Sequence, residues 1–155
     1  MSNELDYLSV FKAASDGLIV HDVETGRVVA ANPAACAMHG YARDEFIGLH
    51  PATFIHPDSQ PLFDEYVQAV QSGDVFRPLI VHVRRDGSPF YGEWRGTAFI
   101  HQGRQCLLSV VRDVSERVRA EQQLQQGRFL LGLGFAVKAA SAGFHIWAPG
   151  SYAES

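Results

Sequence analysis

Arg104-Gln-Cys-Leu-Leu-Ser-Val-Val-Arg-Asp-Val-Ser-Glu116 joins two kinds of structure with no loop between them. Cys106 to Val111 form an apolar, β-branched run behind the turn pair Gln102-Gly103, which predicts a buried strand. Arg112 to Arg117 switch to the chemistry of a helix start, where Asp113 or Ser115 can accept a hydrogen bond from the free N–H groups of the first turn. A core strand therefore feeds directly into a charged helix.

Upstream, the pattern alternates between the two periods. Leu5, Leu8 and Phe11 recur at three-residue spacing and predict a short helix ending near Asp16-Gly17, lying on the sheet as a cap. Leu18 to His21 and Arg27 to Ala31 read as the strands of a hairpin around Asp22 to Gly26. Asn32 can cap a helix that begins at Pro33, a residue whose missing N–H costs nothing in the first turn. Gly40 and Gly48 stop two short helical pieces, Ala34 to His39 and Ala42 to Ile47. Between Leu49 and Pro61, three prolines and two histidines predict irregular chain lying over a cleft. Leu62, Phe63, Tyr66, Val67 and Val70 then form an amphipathic stripe that ends at Ser72-Gly73. Phe76 to Arg84, Ser88 to Phe99 and Gln105 to Val111 complete five strands, turned at Asp86-Gly87 and Gln102-Gly103. The order β, β, short helices, β, β, β predicts an α+β fold: a five-stranded antiparallel sheet with helices on one face.

Composition bounds the function. The chain has 155 residues, 46% of them hydrophobic, enough for one ordinary core with extensions. A formal net charge of −4 supplies no basic stripe for phosphate backbones, so nucleic acid is not an expected partner. Apolar runs are broken well short of a membrane span, and the first residues lack a signal-peptide pattern; the expectation is a soluble cytoplasmic segment. Cys36 and Cys106 read as buried small side chains, without disulfide or metal spacing. Seven histidines show no ligand spacing on a helix, and no nucleophile elbow, phosphate loop or kinase loop is present. Neither a metal site nor catalysis is expected of this segment.

Asp113 to Arg117 resembles, position by position, the Asp-(Ile/Val)-(Thr/Ser)-Glu-Arg run that closes PAS domains and opens their output helix. Asn32 to Ala35, Gly40-Tyr41, Asp44 to Gly48 and His56 to Asp58 resemble further segments of that family in the same order, so the resemblance covers roughly residues 9 to 117. It implies an N-terminal cap helix over 1–16, a PAS domain over 17–113 and an output helix over 114–128. The Glu116 to Gln126 stretch is polar with few apolar positions, and is expected to pair weakly with a second copy of itself in a homodimer. Lys138 to Phe144 repeats Lys12 to Leu18 at an offset of 126 residues, which predicts the truncated start of a second PAS unit over 129–155. Phe129, Leu130, Leu131, Leu133, Phe135, Phe144 and Trp147 would then be core residues without their core.

The resemblance also sets expectations for ligands. Photoreactive flavin relatives need a reactive Cys after the short helices, and Gly48 to His56 has none; haem relatives use a His on the long helix, and Pro61 to Ser72 has none. Covalent flavin photochemistry and haem are therefore not expected, and the cofactor stays unknown. The family's small-molecule pocket, between the sheet and the short helices, would here be lined by Ile19, His21, Trp94, Leu107, Ser109 and Val111, with Phe46, Phe54 and Tyr66 opposite. His21 with Ser109 is the one polar pair nominated within it. The family register would turn His82 inward, whereas alternation buries Leu79, Val81 and Val83, and the alternation is preferred. The implied function is a sensory input and dimerisation module of a bacterial signalling protein, a multi-PAS histidine kinase or cyclic-dinucleotide enzyme. The alternative is an unliganded protein–protein relay between adjacent PAS or kinase domains.

Overall fold

The computed structural model describes residues 6–132, with side chains through residue 127. The chain divides into two units, Met1–Ser115 and Glu116–Ser155. In the first, α1 (Tyr7–Ala13) precedes β1 (Gly17–Asp22) and β2 (Val28–Ala31); α2 (Pro33–His39), α3 (Arg43–Phe46), two 3₁₀ turns and α4 (Gln60–Gln71) follow; β3 (Leu79–Val83), β4 (Pro89–His101) and β5 (Arg104–Asp113) close it. The strands form one antiparallel sheet in the order β2-β1-β5-β4-β3. This is the expected α+β architecture.

The order explains where the helices lie. β2 and β3 are the two edges, so the chain between them must cross the sheet, and it does so through every helical piece from α2 to α4. The crossing chain also covers both edges, which removes the exposed ladders that invite aggregation. Gly48 and Leu49 bond to Val28 on β2, through Gly48 N–H to the Val28 carbonyl (2.7 Å) and Val28 N–H to the Leu49 carbonyl (2.9 Å). On β3, His56 N–H donates to Val81 O and Val83 N–H to Phe54 O, both at 2.9 Å, while Ser59 Oγ accepts from Val81 N–H at 3.0 Å.

Asn32 performs the predicted cap and more. Its Oδ1 accepts from Ala35 N–H (3.0 Å) and from Leu18 N–H (2.8 Å), and its Nδ2 donates to the carbonyls of Phe11 (3.1 Å) and Asp16 (3.0 Å). One buried amide thus fixes the start of α2, the start of β1 and the end of α1, with its polar atoms satisfied. α1 itself contains no fully buried residue, and Phe11 is half-buried. Gln102 and Gly103 both adopt positive φ (50° and 76°), the geometry a two-residue hairpin between β4 and β5 requires.

β3 begins at Leu79 rather than 76, because Pro78 has no N–H to give to the ladder, although its carbonyl accepts from Trp94 N–H. Within β3 the preferred alternation is wrong: Ile80 and His82 are fully buried, Leu79 is exposed, and Val81 and Val83 are half-buried on the opposite face. α5 (Ser115–Gly132), which begins at the last residue of the first unit, runs past 128, where the output helix was expected to end. Of the second repeat expected over 129–155, residues 133 onward lie outside the described residues.

Candidate functional site

The residues expected to line a pocket are brought together on the inner face of the sheet. β1 supplies Ile19 and His21, β4 supplies Trp94, and β5 supplies Leu107, Ser109 and Val111; Phe46 ends α3, Phe54 follows the first 3₁₀ turn and Tyr66 sits on α4. None is more than 3% exposed. The apolar members belong to one contiguous buried cluster, extended by Phe63 and Val70 of α4, Ile80 of β3 and Ala35 of α2. The interior is packed by its own side chains, with Tyr66 and Phe63 edge-on to Trp94 at centroid distances of 5.5 and 5.2 Å.

Ser109 pairs with Tyr66 across the core (Oγ to Oη, 2.8 Å), not with the nominated His21. Burial pushes the Tyr66 hydroxyl up to about 12, the Ser109 bond opposing the shift, so the phenol is neutral at any physiological pH. Gly96 makes this contact possible, since a Cβ there would strike Tyr66 Oη and the Leu108 carbonyl. His21 is pushed down to about 4 by burial, the neighbouring Asp22 opposing and His50 adding to the shift, and its Nε2 is buried without a hydrogen-bond partner.

Sequence reasoning missed the main polar feature, a chain of buried side chains from β4 to α2. Trp94 Nε1 lies 2.6 Å from His82 Nε2, His82 Nδ1 lies 2.8 Å from His39 Nε2, and His39 Nδ1 lies 2.8 Å from the Ala35 carbonyl. An indole N–H can only donate, so His82 Nε2 must accept. The neutral His82 ring then carries its proton on Nδ1 and donates to His39 Nε2. His39 in turn carries its proton on Nδ1 and donates to Ala35. Every polar atom is satisfied with both rings neutral, and a second proton on either ring would set two N–H groups against each other.

Burial accordingly drives His82 well below the usual histidine range, with His39 and Arg84 adding to the shift. Burial also brings His39 down to about 4, although its bond to Ala35 opposes the shift. Aromatic rings enclose the chain: Phe46, Phe54 and Phe90 lie within 5.1 Å of the His39 centroid, and His82 stacks on Phe90 at 4.4 Å. Gly92 leaves room for the His82 ring, since a Cβ there would come within 2.5 Å of Nε2. A signal for His39 was legible: Asn32 sets the phase of α2, and His39 is one turn beyond Ala35, on the same face.

Arg84 connects this chain to the end of the sheet. Its guanidinium lies 4.8 Å from the Phe90 centroid, donates to the carbonyls of Met38 (3.2 Å) and Pro89 (3.1 Å), and comes within 3.8 Å of Asp113 Oδ2. Asp113 Oδ1 accepts from Ser115 N–H and Ser115 Oγ accepts from Tyr91 N–H, each at 2.9 Å, so both anticipated residues act at the junction, Asp113 as the cap. Val114 N–H donates to the Tyr91 carbonyl at 2.9 Å. On the other side, Arg112 forms a two-point ion pair with Asp16 (3.2 and 3.0 Å), tying the end of β5 to the start of β1.

A family model described as PAS domain matches residues 15–116. The oxygen sensor protein DosP of Escherichia coli is 28% identical over 109 residues, which are 66% of this chain and 14% of that protein, so this chain spans only a small part of its relative. Among solved structures, an RNA-binding light-oxygen-voltage receptor superposes with a TM-score of 0.66 at 28% identity, covering 80% of this chain and 36% of that one. A domain of a sensory box sensor histidine kinase/response regulator from Geobacter sulfurreducens gives a TM-score of 0.58 at 26% identity, over 69% of this chain and 90% of that one.

Proposed function

This chain belongs to the PAS domain family, a sensory and non-catalytic class of module, and from that premise we propose that it is the input and dimerisation segment of a bacterial signalling protein, coupling events at the inner face of its sheet to α5. The observation that carries this reading is the construction of β5. Leu107, Ser109 and Val111 occupy the core, and the same strand ends at Asp113, whose carboxylate caps the first turn of α5 and faces Arg84. A change in core packing is thereby felt at the helix start within a few residues of backbone. The likeness to a domain of a sensor histidine kinase supports an adjacent PAS or kinase domain. No described helix is long and apolar enough to cross a membrane.

Two forms of input are compatible with this output. In the first, a small molecule enters between the sheet and the helices, against Ile19, His21, Phe46, Phe54, Tyr66, Trp94, Leu107, Ser109 and Val111. In the second, the module is an unliganded relay driven by partner domains, a reading favoured by the closely packed interior those residues form. Native mass spectrometry of freshly purified protein separates them. A mass above the denatured value by a small-molecule increment supports sensing, and equality supports the relay. Light scattering at the same concentrations tests the dimer; a monomer at all concentrations would remove dimerisation from the proposal.

A further inference from the structure

The far half of β4 has an edge that no other strand covers. β3 pairs with β4 only over Leu79–Val83 against Pro89–Glu93, whereas β4 runs on to His101 with β5 on its other side. Every residue from Arg95 to Gln105 is exposed. The register fixes which backbone groups point outward. Trp94 N–H donates away from β5, to the Pro78 carbonyl (3.1 Å), and the Tyr91 carbonyl, on the β5 side, accepts from Val114 N–H. Direction alternates along a strand, so the N–H and C=O groups of Gly96, Ala98 and Ile100 face the open side, while those of Arg95, Thr97 and Phe99 face β5. Among the described residues, no backbone or side-chain group bonds to the three outward pairs. No bulge or proline blunts the stretch, and these are the usual devices that keep an open edge from pairing.

The surroundings of the edge select the strand it accepts. A cavity of about 380 Å³ beside Gly96 is lined by Arg77, Arg95 and Asp74 and by the apolar Val70, Val75 and Phe76. The arginines outnumber the carboxylate, and neither arginine forms an ion pair among the described residues. Residues 95–105 carry Arg95, His101 and Arg104 and no Asp or Glu, a basic strip on a chain of net charge −4. In an antiparallel pair of two copies about Ala98, Arg95 of each would lie opposite His101 of the other, with no carboxylate between them. An extended segment with Glu or Asp at alternate positions is complementary instead, because one face of it meets the arginines while its backbone meets Gly96, Ala98 and Ile100. We propose that the open edge of β4 accepts an extended acidic peptide of a partner protein as an added strand, with its carboxylates beside Arg77 and Arg95 and its alternate apolar side chains toward Val70 and Phe76. This goes beyond the function proposed above, since it stands whether or not the inner face takes a ligand. A contact this short belongs to the class of small, transient interfaces.

Full-length ¹⁵N-labelled protein, titrated with a soluble acetylated peptide that alternates Glu and Val and followed by amide hydrogen exchange, tests the register itself. At a peptide concentration about ten times its Kd, exchange at Gly96, Ala98 and Ile100 should slow by about tenfold, with a much smaller change at Thr97 and Phe99. The counterpart alternating Lys and Val should bind about fivefold or more weakly, and Arg95→Glu should reverse that preference. Ala98→Pro removes the central outward N–H and should abolish binding, with unchanged His39 and His82 imidazole signals showing that the core is intact. No protection at the three amides, protection that falls on Thr97 and Phe99 instead, or a preference for the Glu peptide that survives Arg95→Glu overturns the proposal. Slowed exchange at Gly96, Ala98 and Ile100 that appears without peptide and grows with protein concentration assigns the edge to a second copy and overturns the acidic partner equally.

Discussion

Replacing Trp94 with Phe removes one proton from the core and should have an outsized effect. The indole N–H is the donor that His82 Nε2 accepts at 2.6 Å, and both groups are buried. Phenylalanine leaves that nitrogen unpaired, at about 1–3 kcal/mol, and the smaller ring leaves a void worth about 1 kcal/mol more. A total of roughly 2–4 kcal/mol should lower the melting temperature of a domain this size by roughly 10–20 °C. His82→Phe alone orphans two groups, the Trp94 N–H and His39 Nε2. The double variant His82→Phe/Trp94→Phe orphans only His39 Nε2, so its loss should fall at least about 2 kcal/mol short of the sum of the single losses. Urea unfolding of the four proteins supplies the cycle, and imidazole nitrogen spectra of the wild type should show Nδ1–H on both His39 and His82. Additivity within about 0.5 kcal/mol, or an Nε2–H tautomer on either ring, would refute the derived chain.

Other perturbations probe separate parts of the structure. His21 and His39 are held down to about 4 and His82 is also lowered, so the unfolded chain binds more protons than the folded one below the ordinary value of 6.5; stability should be full above pH 6.5 and fall as pH drops toward 4, by up to about 1.4 kcal/mol per pH unit for each histidine. Urea midpoints at pH 7.5, 6 and 5 check this, and a flat profile would contradict it. Gly96→Ala should force Tyr66 Oη off Ser109 and cost about 1–3 kcal/mol, seen as a lowered melting temperature and a changed near-ultraviolet tyrosine signal. Asp113→Ala should remove about 0.5–2 kcal/mol at the start of α5, with faster hydrogen exchange confined to residues 115–126; uniform acceleration across the strands, or none, would show that Asp113 is not the hinge.

The sequence was most legible where one local signal determined one local structure. Asn32 before Pro33, the Gln102-Gly103 turn and the Phe63-Tyr66-Val70 stripe each required no knowledge of distant chain, and each is present. The inward set of β1, β4 and β5 was also legible, because alternation and the family register agree there. They disagree on β3, where counting apolar residues favoured Leu79, Val81 and Val83. That count failed because a histidine can be buried when others supply its hydrogen bonds, and His82 receives them from residues 43 positions earlier and 12 later. Such partners are invisible to a local pattern. The same reason explains the Ser109 pairing: its partner Tyr66 was on the list of inward residues, but nothing in the sequence says which two polar groups meet.

The distribution of strength along β5 bears on how such a module could signal. Positions 107, 109, 111 and 113 alternate on one face of the strand, and the first three are sealed in the core. Their displacement means disturbing close packing and the Tyr66–Ser109 bond, several kcal/mol in sum. The fourth position is different in kind. Asp113 is held by a cap of about 0.5–2 kcal/mol and by a partly exposed pair with Arg84, worth about 0–1 kcal/mol. An input that discriminates two states by about 1–3 kcal/mol, the usual range of coupling energies, is too small to reorganise the core yet large enough to shift the junction. Along this single strand the sealed positions 107, 109 and 111 give way to the exposed Asp113, whose cap is the weakest of the contacts at the junction, where Ser115 Oγ and Val114 N–H also hold the chain to Tyr91.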